Sequence, residues 1–136
     1  MAERKEFTTN NGYILTLITN KTNIQLEVRD TEGLEIDHYK YQPLLFSDET
    51  FKTLHEAFHT EANKVWKSLT IKEADSYGND YDEYYDRVLD NNGNLAIKQN
   101  QLTVTKVYEG SLRVYQFNKQ KMGTFLYDFN KLMSVD

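Results

Sequence analysis

The chain has 136 residues, of which 39% are hydrophobic and 27% charged, with a formal net charge of −5, ten tyrosines and no cysteine. These values predict a single globular domain over residues 1–136 with an aromatic-rich core, and they exclude a disulfide framework, a thiolate metal site and a cysteine nucleophile. The acidic balance disfavours a general duplex-DNA binder, and no apolar run approaches the roughly 20 residues of a membrane-spanning helix, so the expectation is a soluble, cytoplasmic protein with no membrane partner.

The first residues, Met1-Ala2-Glu3-Arg4-Lys5-Glu6, are charged and lead into no hydrophobic leader segment. Residues 13–19 form a β-rich run. Ile24, Leu26 and Val28 then alternate with Gln25, Glu27 and Arg29 in the two-residue period of a half-buried strand. Residues 20–23 supply the turn of a hairpin between these runs. After the turn Asp30-Thr31-Glu32-Gly33, the residues Leu34, Ile36 and His38 share one face of a third strand, and Pro43 is expected to end this sheet segment.

A long helix is predicted to start at Ser47. Its hydroxyl suits an N-cap, Asp48 and Glu49 favour the positive end of the helix dipole, and Phe46 can staple to Phe51. Phe51, Leu54, Phe58, Ala62, Val65 and Leu69 recur at three and four and make one apolar stripe. His55, His59 and Trp66 fall along its margin.

Residues 73–86 interleave acids with Tyr77, Tyr81, Tyr84 and Tyr85, and the run Asp90-Asn91-Asn92-Gly93 predicts a hairpin from about Tyr84 into Leu95-Ala96-Ile97. Residues 102–108 and 112–117 read as two further strands around a Glu109-Gly110 turn. Met122, Phe125, Leu126, Phe129, Leu132 and Met133 give a short amphipathic C-terminal helix. The pattern predicts the α+β class: an antiparallel sheet of about six or seven strands with the long central helix and the short C-terminal helix packed on it.

One motif names a chemistry. His55-Glu56-Ala57-Phe58-His59 places two imidazoles four residues apart on one helical face with a carboxylate after the first. Over these five residues the chain resembles the zincin metalloproteases. The resemblance implies a zinc cofactor, with His55 and His59 as metal ligands and Glu56 as the general base of a hydrolase. It would draw a third ligand from Asp82, Glu83 or Asp86, because no histidine follows His59. Glu61 stands where zincins carry an uncharged or apolar residue. The downstream Asn-Glu-x-x-Ser-Asp and Gly-Thr-x-Asp-x-x-Tyr-Gly patterns are absent. Nor do the acidic runs have the spacing of an EF-hand calcium loop.

A second reading needs no cofactor. Tyr81, Asp82, Glu83, Tyr84, Tyr85 and Asp86 combine rigid contact area with carboxylates, the make-up of a surface that addresses a partner protein with a basic face. The expectation is a small acidic regulator, inhibitor or accessory protein acting through protein–protein contacts. Its Lys, Asn, Ile and Tyr content suggests an AT-rich bacterial or phage genome. A third reading sets Arg113, Tyr115 and Phe117 on one strand face as a stacking platform for single-stranded nucleic acid.

Overall fold

Alternating apolar residues build two antiparallel sheets, and two amphipathic helices cover them. The computed structural model of the chain describes residues 2–37, 40–75, 83–86, 92–107 and 110–133. In chain order the elements are β1 (Glu3–Thr8), β2 (Tyr13–Thr19), β3 (Ile24–Asp30), β4 (Tyr41–Leu45), α1 (Asp48–Val65), β5 (Asn94–Lys98), β6 (Gln101–Thr105), β7 (Arg113–Phe117) and α2 (Lys119–Leu132). The α+β class is the one expected. The seven strands divide between a four-stranded sheet in the order β1-β2-β3-β7 and a three-stranded sheet in the order β4-β6-β5.

β1 is a strand that hydrophobic alternation does not reveal, since only Phe7 of its residues is buried. Its charges are instead matched one by one. On the open sheet face Arg4 reaches across β2 to Glu27 at 2.8 Å, and Arg29 of β3 reaches back to Glu6 at 3.2 Å. On the helix-covered face Lys5 meets Glu61 at 2.8 Å. The turn into β2 closes with a Thr9 N–H to Tyr13 C=O bond of 2.9 Å, and it needs the left-handed backbone of Gly12, at φ +89.

Four local expectations are corrected by the tertiary structure. Pro43 lies inside β4, which tolerates it because β4 is an edge strand whose one strand neighbour among the described residues is β6. The strand expected through Leu34 and Ile36 reduces to a single bridge between Arg29 and Glu35, and His38 lies outside the described residues. The two strands expected on either side of Glu109-Gly110 belong to different sheets, for β6 pairs with β4 and β5 while β7 joins β3. Of the hairpin expected from Tyr84, β5 begins at Asn94, but residues 83–86 contain no strand. Gly93, just before β5, sits where a Cβ would fall 2.1 Å from the Val114 carbonyl oxygen and 2.6 Å from that of Thr105. Only glycine lets the backbone pass there.

α1 starts as its sequence signals indicate but ends at Val65, so Leu69 of the expected stripe lies beyond it. Ser47 Oγ accepts from the Thr50 N–H at 3.1 Å, and the Phe46 and Phe51 ring centroids lie 6.1 Å apart. Phe51, Leu54, Phe58 and Ala62 are fully buried along one stripe. α2 opens on Asn118, whose Oδ1 accepts from the Lys121 N–H at 2.7 Å, and it buries Met122, Phe125, Leu126 and Phe129. The helices meet through rings. Phe58 lies 4.9 Å from Phe125, and Phe51 lies 4.8 Å from Phe129, centroid to centroid. Burying each such ring is worth about 1.5–3 kcal/mol, so this cluster holds α1 and α2 in fixed relation.

Candidate functional site

The two flanks of α1 carry the polar groups that chemistry could use. On the flank toward α2, His55 and His59 turn their Nε2 atoms to a single acceptor, the Oδ1 of Asn130, at 2.6 and 2.7 Å. An amide oxygen has two lone pairs, so it accepts one N–H from each ring. The rings stand edge to face with centroids 4.7 Å apart, and His55 also packs on Phe129 at 4.8 Å. His55 is buried and His59 half-buried. Burial pushes the His55 imidazole below its ordinary pKa, with the neighbouring His59 acting in the same sense, while the Asn130 hydrogen bond and the Glu56 charge oppose it.

Asn130 could not be read from the sequence. It follows Phe129 of the apolar stripe, and only the packing of α2 on α1 brings it to histidines 71 and 75 positions away. Of the acids that the zincin resemblance proposes as third ligand, Glu83 and Asp86 are described and Asp82 is not. No three or more His, Cys, Asp or Glu side chains converge among the described residues. Glu56 is exposed and borders a groove beside β1, whereas the two histidines contact α2.

On the flank toward β1 the backbone is the first resource. The Thr9–Tyr13 bond sets the phase of the β1–β2 ladder, so Phe7, Lys5 and Glu3 exchange bonds with Leu15, Leu17 and Thr19. The N–H and C=O groups of Arg4, Glu6 and Thr8 therefore point outward, along an edge that no described strand covers. Beside this edge runs an open groove of about 500 Å³, lined by Lys5, Glu6 and Phe7 of β1 and by Thr53, Glu56, Ala57 and Thr60 of α1. The spacing of those four helical positions makes them one face. Phe7 and Ala57 are both only 7% exposed and form its apolar floor. Glu56 makes no ion pair with any described residue.

Glu61, one turn further along α1, is a different kind of carboxylate. It is fully buried, accepts from Thr19 Oγ1 at 2.8 Å, and pairs with Lys5 at 2.8 Å and Lys64 at 3.1 Å. Burial raises its pKa, but the hydrogen bonds from Lys5, Thr19 and Lys64 outweigh that and hold the carboxyl below its ordinary value. Lys64 is raised in turn by Glu61 and Glu3. The departure from the zincin pattern at Glu61 thus has a structural reason, since this carboxylate ties α1 to β1 and β2.

Of the tyrosine-rich acidic block, the described residues are mostly turned inward. Glu83, Tyr84 and Tyr85 are buried, Asp86 is exposed, and Tyr81 and Asp82 lie outside the described residues. Glu83 pairs with Lys72 at 2.7 Å, and its carbonyl accepts from Thr124 Oγ1 at 2.5 Å. The Tyr85 hydroxyl bonds to Asp128, and its carbonyl accepts from the Tyr115 hydroxyl at 2.7 Å. Burial and the adjacent Asp128 push the Tyr85 hydroxyl far above its ordinary pKa. These side chains dock the segment onto α2 and β7.

The nucleic-acid platform is likewise taken apart. Tyr115 and Phe117 are fully buried in the core, and an irregularity opposite Leu26 and Glu27 shifts the phase of β7 so that Arg113 pairs in register with Glu27 and donates to Gln116 Oε1 at 3.2 Å. The described helices include none long and apolar enough to cross a membrane. Comparisons with protein-family models, with curated proteins and with solved structures found no match to this chain.

Proposed function

We propose that this protein acts by binding another protein, adding an extended segment of that partner to the outer edge of β1 with a lysine or arginine of the segment set against Glu56. The observation that carries this reading is the coincidence of three outward-facing main-chain pairs, at Arg4, Glu6 and Thr8, with a groove that has an apolar floor and, on its wall, the Glu56 carboxylate, which makes no ion pair with a described residue. In strand addition, main-chain hydrogen bonds supply affinity and alternate side chains supply specificity. Here an inward side chain of the segment would rest on Phe7 and Ala57. The next inward side chain, basic, would reach Glu56.

Edge strands rich in charge usually resist pairing. Arg4 and Glu6, however, are already engaged by Glu27 and Arg29 on the open sheet face, so they do not project across the edge. The net charge of −5 adds a general attraction for a basic partner. A regulator, inhibitor or accessory protein would use such a site.

Selection from a randomised heptapeptide library, followed by amide NMR of the complex, tests the proposal. Enriched peptides should carry Lys or Arg, should shift and protect the amides of Arg4, Glu6 and Thr8, and should be lost or switched to acidic sequences by Glu56→Lys. Absence of any enriched peptide, or shifts confined to other strands, would overturn it.

A further inference from the structure

The His55, His59 and Asn130 cluster is not used by the groove, and its geometry asks for a separate account. The Nε2 atoms of His55 and His59 on one helix converge on Asn130 Oδ1 of the other at 2.6 and 2.7 Å, which gathers three potential metal donors in one place. We propose that these three side chains form a binding site for one divalent late first-row transition-metal ion, with zinc as the reference ion, bridging α1 to α2.

Two imidazole nitrogens and one carboxamide oxygen are the borderline donor set that zinc, copper(II) and nickel accept, and one that magnesium and calcium do not favour. The i and i+4 spacing places both rings on the same helical face, as paired histidine ligands require. Zinc holds such donors at about 2.0–2.1 Å in a tetrahedron, which sets the donors about 3.3 Å from one another. Relative to the present 2.6 and 2.7 Å, Asn130 need withdraw by only roughly 0.6 Å. Asn130 is half-buried, so its side chain has room to make that shift, and a water would complete the coordination.

The ring packing holds the ligands in place before any ion arrives. His55 is backed by Phe129, and α1 and α2 are locked by Phe51, Phe58, Phe125 and Phe129. When the metal takes Nε2, a ring that carries its proton there moves it to Nδ1. Glu56 has no part in this site. The metal would be a clamp between helices.

The test uses untagged, full-length protein and zinc chloride. Calorimetric titration should show one zinc per chain, and saturation should raise the Tm by about 3 °C or more. His59→Ala, at the half-exposed position, should abolish both effects while keeping the wild-type circular dichroism. Asn130→Asp should tighten binding at least tenfold by adding charge, and cobalt(II) should give tetrahedral d–d absorption bands that Asn130→Ala weakens. No uptake by the wild type with zinc in tenfold excess, or uptake that His59→Ala and His55→Gln leave unchanged, would overturn the assignment. Asn130→Asp guards against a folding failure, because it preserves shape and predicts a gain.

Discussion

Glu56 and Glu61 lie five positions apart on the same helix, both beside β1, and they do opposite things. Glu61 is fully buried and saturated by Lys5, Lys64 and Thr19, whereas Glu56 is exposed at the groove with no ion pair to a described residue. Residue type is identical and local sequence gives both the same helical environment. The difference is what the strand opposite supplies: Lys5 and Thr19 project toward the turn of α1 that holds Glu61, and Phe7 toward the turn that holds Glu56. A carboxylate surrounded by donors becomes part of the scaffold, and one left beside an apolar floor stays available to a ligand.

The largest consequence should follow from removing Glu61. Glu61→Ala strips one hydrogen bond and two ion pairs and leaves a hole under β1. Both lysines are partly exposed and can rehydrate, so the cost is set at about 2 kcal/mol rather than the larger loss of a sealed ion pair. Urea denaturation measures it, and a loss below about 0.5 kcal/mol would put the two glutamates on the same footing. A second effect is confined to acid. Because the folded-state pKa of Glu61 lies below its ordinary 4.5, the unfolded chain binds the extra proton first. The stability that Glu61 contributes is therefore complete above about pH 4.5 and disappears as the pH falls through the folded-state value. Glu61→Gln should flatten the part of the urea-midpoint profile that lies below about pH 4.5.

The smallest effect sharpens the contrast most. Glu56→Gln should change stability by no more than about 0.5 kcal/mol while reducing affinity for selected basic peptides. A substantial loss of stability would show that Glu56 is structural after all.

The same contrast shows where sequence reading reached its limit. α1 was legible because its cap, its staple and its apolar stripe are all written in one short stretch between Phe46 and Val65, and the structure repeats them. β2, β3 and α2 were legible for the same reason. β1 was not, because its strand character comes from Glu27, Arg29 and Glu61 neutralising its charges from three other places in the chain. Pro43 misled because whether a strand lies at a sheet edge is a property of the sheet. The tyrosine-rich block looked like surface by composition, yet α2 and β7 cover Glu83 and Tyr85 through Thr124, Asp128 and Tyr115.

By itself the sequence determined the secondary elements whose signals are local, the α+β class, and the pairing of His55 with His59 on one helical face. Those follow from the 2.0 and 3.6 residue periods and from capping chemistry, which act over a few neighbouring residues. Only the tertiary structure decided that the strands split into two sheets, that Asn130 meets both histidines, that Glu61 is buried while Glu56 is open, and that the outward edge of β1 runs beside a groove. Each of these depends on groups tens of residues apart being brought within a few ångströms, and the free energy that brings them there comes from the whole core.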